Sequence, residues 1–143
     1  MNQDIRIALA VCRSVVGDTP GNLARMEKHT AAARKKGAEI ICFPELCATG
    51  YHVREAIQGA AEPLPGRASK QIRAMSARHG ICMIAGLAEK KGDRIFATQF
   101  AVDPEKGIGS IYRKLHLGPP EKKFFTKGDK VSPLCNTGGL RFG

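Results

Sequence analysis

No stretch of this chain is apolar for long enough to cross a membrane. Its first apolar run, Ile5 to Cys12, carries no basic leader and is too short for a signal peptide. A cytoplasmic protein with no membrane partner is therefore expected. Aromatic residues are scarce, at 6% with no tryptophan. Acidic residues are outnumbered, 13 against 23 lysines and arginines, which leaves a net charge of +10. Such an excess ordinarily suggests an anionic partner. Here the basic residues are dispersed over Arg34-Lys35-Lys36, Arg67 to Arg78, Lys90-Lys91 and Lys122-Lys123. With so little aromatic surface between them, they read as solvated helix faces, and no nucleic-acid partner is expected. The five cysteines are an odd number without disulfide-scaffold spacing, which fits a reducing interior. Cys42, Cys47 and His52 have a loose metal-like spacing, but zinc takes a fuller ligand set in closer pairs. No internal repeat or low-complexity segment is present.

A chain of 143 residues is one domain or part of one. Ile5 to Val11 reads as a buried strand. Pro20-Gly21-Asn22 opens a helix to about Lys36, with Leu23, Met26 and Thr30 on one side and Gly37 as its stop. Glu39 to Phe43 is a second strand, and residues 47–66 are a loop or broken helix. Ala68 to His79 is a helix with Ile72 and Met75 inward and Gly80 at its end. Ile81 to Ala88 and Arg94 to Val102 form a hairpin about Lys91-Gly92-Asp93, and Ile108 to Tyr112 follows. Leu140 begins one more strand. This order is α/β with a mixed sheet.

Glu45 ends the apolar run Glu39-Ile40-Ile41-Cys42-Phe43-Pro44-Glu45. A carboxylate at the end of a buried strand sits in low dielectric, behind a proline that fixes the backbone. That environment disfavours its charge and poises it as a general base. Taken alone, such a glutamate reads more readily as a solvated strand cap than as a base, and the residues further along change that balance. Lys114, in Tyr112-Arg113-Lys114-Leu115-His116-Leu117, also follows a strand-like stretch. A lysine beside a buried carboxylate stays charged and can stabilise a developing oxyanion.

Together these segments resemble the nitrilase superfamily, the carbon–nitrogen hydrolases. The matching pieces are Ile5 to Val11, Gly17-Asp18, Asn22-Leu23, Gly37-Ala38-Glu39 and Phe43-Pro44-Glu45-Leu46. They continue through Thr49-Gly50-Tyr51, Gly86-Leu87-Ala88-Glu89, Tyr112 to Leu117 and Phe125-Thr126-Lys127-Gly128-Asp129. The resemblance implies an αββα sandwich of two stacked sheets with helices outside, and homodimers or higher homo-oligomers. It implies Glu45 as general base, Lys114 holding the tetrahedral intermediate, and Glu121 positioning substrate and lysine. It implies hydrolysis of a non-peptide carbon–nitrogen bond in a small amide, carbamoyl compound or nitrile, amide preferred over nitrile, with no metal or organic cofactor.

The nucleophile is not among these pieces. The family places its cysteine in a strand a few residues after a Phe-Gly pair, which Phe142-Gly143 matches at the last residue. Cys12, Cys42 and Cys82 lie inside apolar runs, where cysteine acts as a small buried hydrophobe. Cys47 and Cys135 do not fit by position either. Residues 1–143 are thus expected to be the N-terminal part of a carbon–nitrogen hydrolase domain, truncated before its cysteine. The alternative is a catalytically inactive chain that serves as a folding or interaction fragment. Cys12 stands where a glutamine is usual and Ala97 where an asparagine is usual. The loop His116 to Glu121 is short and stiffened by Gly118-Pro119-Pro120.

Overall fold

The computed structural model describes residues 4–52, 54–131, 135–137 and 140–142. Its elements run β1 (Ile7–Leu9), α1 (Thr19–Lys35), β2 (Ile40–Cys42), α2 (Ala56–Ala60), α3 (Arg67–His79), β3 (Cys82–Lys91), β4 (Arg94–Asp103) and β5 (Gly107–Arg113), then β6 (Cys135–Thr137) and β7 (Leu140–Phe142). The first five strands form one sheet in sequence order, and β6 and β7 pair separately. β1, β2 and β3 run parallel, joined by helical crossovers, whereas β3, β4 and β5 form an antiparallel meander. This is the mixed α/β sheet expected from the order of elements.

Local chemistry explains the helix ends. The Asp18 carboxylate accepts from the Gly21 N–H at 3.0 Å, and Pro20 occupies the first turn, where its missing N–H costs nothing. Gly80 ends α3 in the left-handed conformation, φ 58°, which suits a residue without Cβ. The Glu62 carboxylate accepts from Ala68 N–H at 2.9 Å at the start of α3, where negative charge is favoured. The β3–β4 hairpin closes on Gly92-Asp93, opposite the pair Lys91 and Arg94.

One face of the sheet is packed. Leu23 and Met26 of α1 and Ile72 and Met75 of α3 join Ile41, Met83, Leu87, Phe100 and Val102 in the main core. The opposite face is open chiefly at the β1 edge, and further in its residues are half-buried or buried. Directly paired residues share a face, so Leu9, Cys42, Ile84 and Ala101 form one row across it. Here β1 departs from the expected buried strand: Leu9 is 78% exposed and Val11 93%. The strand is at the edge of the sheet, and only its even-numbered residues turn toward the helices. The segment 47–66, expected as a loop or broken helix, contains the short helix α2.

Toward the carboxyl ends of β2 and β3, a second apolar cluster covers this open face. It joins Leu46, Ile57, Ala88, Ala97 and Phe125. The segment after β2 folds over the sheet there, with Ala48 N–H donating to Gly86 O at 3.0 Å and Phe43 N–H to Ile84 O at 2.9 Å. Gly86 permits this crossing, because a Cβ there would run into Leu46 N and the Gln99 side chain. Glu45 is carried on that crossing.

Candidate active site at the strand ends

Glu45 lies between Pro44 and Leu46, and Leu46 holds φ at 52°, a left-handed conformation that costs a non-glycine residue about 1–3 kcal/mol. Leu46 is fully buried, so packing holds this kink and with it the direction of Glu45. Lys114 follows β5. Its N–H donates to Ala97 O and its carbonyl accepts from Gly128 N–H, both at 2.9 Å. Gly128 is required at this approach, since a Cβ would collide with the Arg113 carbonyl.

The two segments bring an ammonium into contact with two carboxylates. Lys114 Nζ lies 3.1 Å from Glu45 Oε1 and 2.9 Å from Glu121 Oε1. Glu121 opens a short 3-10 turn, Glu121–Lys123, and is 4% exposed. Its Oε1 also accepts from the Tyr51 hydroxyl at 3.1 Å, and its Oε2 accepts from the Gly118 N–H at 2.6 Å. Glu45, by contrast, is not the buried carboxylate expected from the apolar run before it. Its side chain is 43% exposed, because the residue sits on the crossing loop at the open face and not within the strand.

Electrostatics follow from this packing. Burial raises the Glu121 carboxyl, but the hydrogen bonds from Lys114, Gly118 and Tyr51 outweigh it and hold the group below the ordinary glutamate value. Burial lowers the Lys114 amine, and the bonds and charges of Glu121 and Glu45 reverse that, keeping it above the ordinary lysine value. The Tyr51 phenol is raised, by burial first and then by its bond to Glu121. The lysine is therefore a fixed cation at neutral pH, of the kind that can stabilise developing negative charge.

Beside the trio is a cavity of about 350 Å³, lined by Glu45, Ala97, Thr98, Gln99, Tyr112, Lys114 and His116. Ala97 forms part of its wall with a methyl group only. Another hollow of about 290 Å³ lies between α1 and α3, lined by residues such as Leu23, Glu27 and Arg78. That one is remote from the Glu45–Lys114 pair.

Cys47 lies two residues beyond Glu45, yet it is 1% exposed and burial pushes its thiol up to about 12. Its sulfur accepts from Gly86 N–H at 3.3 Å, a packing role. Cys12 and Cys42 are half-buried, and burial raises both thiols. Cys42, Cys47 and His52 do not gather into a metal cluster among the described residues. Nor is any helix among those residues long and apolar enough to cross a membrane. The side chain of Cys135 and the residue Gly143 lie outside the described part of the structure.

Sequence reasoning assigned no part to Tyr51, Glu89 or Arg113, although all three stand inside the motifs quoted above. Glu89 is 2% exposed and takes both oxygens to Arg113, at 2.6 and 2.7 Å. The signal was a charged residue ending an otherwise apolar strand, Gly86-Leu87-Ala88-Glu89.

The carbon-nitrogen hydrolase family model matches residues 6–143, so the chain belongs to that family. It is 31% identical over 142 residues to a nitrilase of Pyrococcus abyssi, a match covering 97% of this chain and 54% of that protein. It is 31% identical over 118 residues to an (R)-stereoselective amidase of a Pseudomonas species, covering 82% of this chain and 42% of that one. The crystal structure of an amidase from Nesterenkonia sp. superposes with a TM-score of 0.85 at 25% identity, over 96% of this chain and 53% of that one. A cysteine-to-alanine mutant of the Nesterenkonia amidase is known in complex with butyramide. The chain spans about half the length of the relatives it matches. The structure is thus the nitrilase-type α/β fold, represented by roughly half of it.

Proposed function

We propose that this chain supplies the acid–base and oxyanion part of a site that hydrolyses a non-peptide carbon–nitrogen bond. An amide is preferred to a nitrile, as in the amidases it resembles. The observation that carries this reading is the trio Glu45, Lys114, Glu121, with Lys114 Nζ within 3.1 Å of one carboxylate and 2.9 Å of the other beside an open cavity. In this reading Glu45 takes the proton of a cysteine thiol, and the thiolate attacks the carbonyl carbon. Lys114 faces the resulting oxyanion, and the amine leaves with a proton returned by Glu45. Water, deprotonated by Glu45, then releases the acyl group. Glu121 keeps Lys114 charged and aimed. Partial exposure of Glu45 suits a base that must meet both thiol and water.

The cysteine is proposed to lie in sequence beyond residue 143, and residues 1–143 to be the N-terminal part of the domain. The partners are small amides or nitriles, in a homo-oligomer, and the apolar stripe Ile7, Leu9 and Val11 supports association with further protein. The second reading, a non-catalytic chain, is favoured for these 143 residues alone by the inert environment of Cys47. The test is ammonia release from simple amides. A family-length version read from the continuing frame should turn over, and Glu45→Gln should lower kcat by about 10²–10⁴. The 143-residue chain should be silent. Unchanged turnover in Glu45→Gln would remove Glu45 from the mechanism.

A further inference from the structure

We infer that Glu89 is a positioning residue for Lys114. Its carboxylate, acting through Arg113, selects the pairing of β5 with β4 that turns Lys114 toward Glu45 and Glu121. The inference takes its catalytic meaning from the proposed function, but the placement it describes stands on geometry alone.

β5 is poorly equipped to set its own register. It opens Gly107-Ile108-Gly109-Ser110, and its pairing with β4 already shifts between Ala101 and Val102. Gly-rich strands are prone to slippage, and a slip of a single residue moves every side chain to the other face. At Arg113-Lys114 such a slip would exchange the two cations. Arg113 would face the cavity, and Lys114 would turn to the helix side, away from both carboxylates.

Glu89 opposes that exchange. It ends the buried part of β3 and pairs with Phe96 on β4, while Arg113 pairs with Thr98. Glu89, Phe96, Thr98 and Arg113 thus share the face opposite Lys114. Arg113 reaches across the Phe96 ring, 5.1 Å from its centroid, and grips Glu89 with a fork: Nη2 to Oε1 at 2.6 Å and Nε to Oε2 at 2.7 Å. The Thr98 hydroxyl donates to Oε2 at 2.7 Å, so three strands are tied at one carboxylate. A lysine brought there by a slip could not reproduce the fork, since it offers a point charge and not a planar pair of donors. Stability alone does not require an ion pair here, because a buried pair is often replaced by apolar residues without loss. What apolar residues cannot do is discriminate arginine from lysine in register.

The test uses the 143-residue chain and reads the Lys114 amine by NMR with labelled lysine, assigned through Lys114→Arg. Two variants are compared, the double substitution Glu89→Leu with Arg113→Met, and the single Arg113→Lys, which keeps the charge but loses the fork. Thermal melts run in parallel. The expected result is a cooperative melt with a Lys114 amine that loses its contact with Glu121 and titrates at lower pH than in the unaltered chain. Folded variants whose Lys114 titration matches the unaltered chain overturn the inference. Loss of a cooperative melt in both variants overturns it as well, since the pair would then be holding the fold. Substrate plays no part in this readout, so a failure of the hydrolase reading would appear separately, in the ammonia assay.

Discussion

Replacing Glu121 by glutamine tests the electrostatics of the site most directly. The native carboxylate, 4% exposed, accepts from three donors: Lys114 Nζ at 2.9 Å, the Tyr51 hydroxyl at 3.1 Å and Gly118 N–H at 2.6 Å. A glutamine has one acceptor oxygen, and its amide N–H₂ would face another donor. Whichever way the amide turns, at least one buried donor loses its partner, at a cost of about 1–3 kcal/mol. For a chain of this size that lowers Tm by roughly 3–10 °C at neutral pH. A pH signature accompanies it. Glu121 is held below its ordinary value, so its stabilisation is present above the unfolded carboxylate range, near about pH 4.3, and is lost as pH falls through the lower folded value. Lys114 is held above its ordinary value, so its stabilisation is present below about pH 10.4 and is lost as pH rises through the higher folded value. Melts of Glu121→Gln from acid to alkaline pH should therefore show a shallower acid limb and an alkaline limb displaced to lower pH. The same Tm and the same acid limb as the unaltered chain would refute the hydrogen-bond assignment.

Two further outcomes follow from burial. Cys47, 1% exposed with its thiol pushed up to about 12, should resist a thiol reagent at pH 8 in the native chain, while the half-buried Cys12 and Cys42 react first; equal rates at all three would contradict the packing of the crossing loop. Ile72→Ala, at a fully buried position of α3, should cost about 2–5 kcal/mol in urea unfolding, whereas Leu9→Ala, 78% exposed on β1, should stay within roughly 0.5 kcal/mol; equal costs would mean that the open face is not open.

What the sequence by itself determined was set by neighbours along the chain. Pro20 and Gly37 bracket α1, Gly80 stops α3 and Gly92 turns the β3–β4 hairpin, because each acts on its own backbone. The motifs around Glu45, Lys114 and Glu121 were legible because they are short, chemically distinctive and held at family spacing. Tertiary structure decided what depends on distant partners. Only the folded sheet shows that Tyr51 meets Glu121, 70 residues away, and that Glu89 grips Arg113, 24 residues away. Local pattern cannot report such pairs, because the partners meet only when the fold has closed the long loop between them, and nothing in either segment's own sequence specifies the other. Burial behaved likewise. An apolar run fixes that a strand exists but not how many of its faces are covered, so Ile5 to Val11 looked buried and lies at an open edge. Glu45 looked like the end of a buried strand, yet the kink at Leu46 lifts it onto a crossing loop and leaves it half in water.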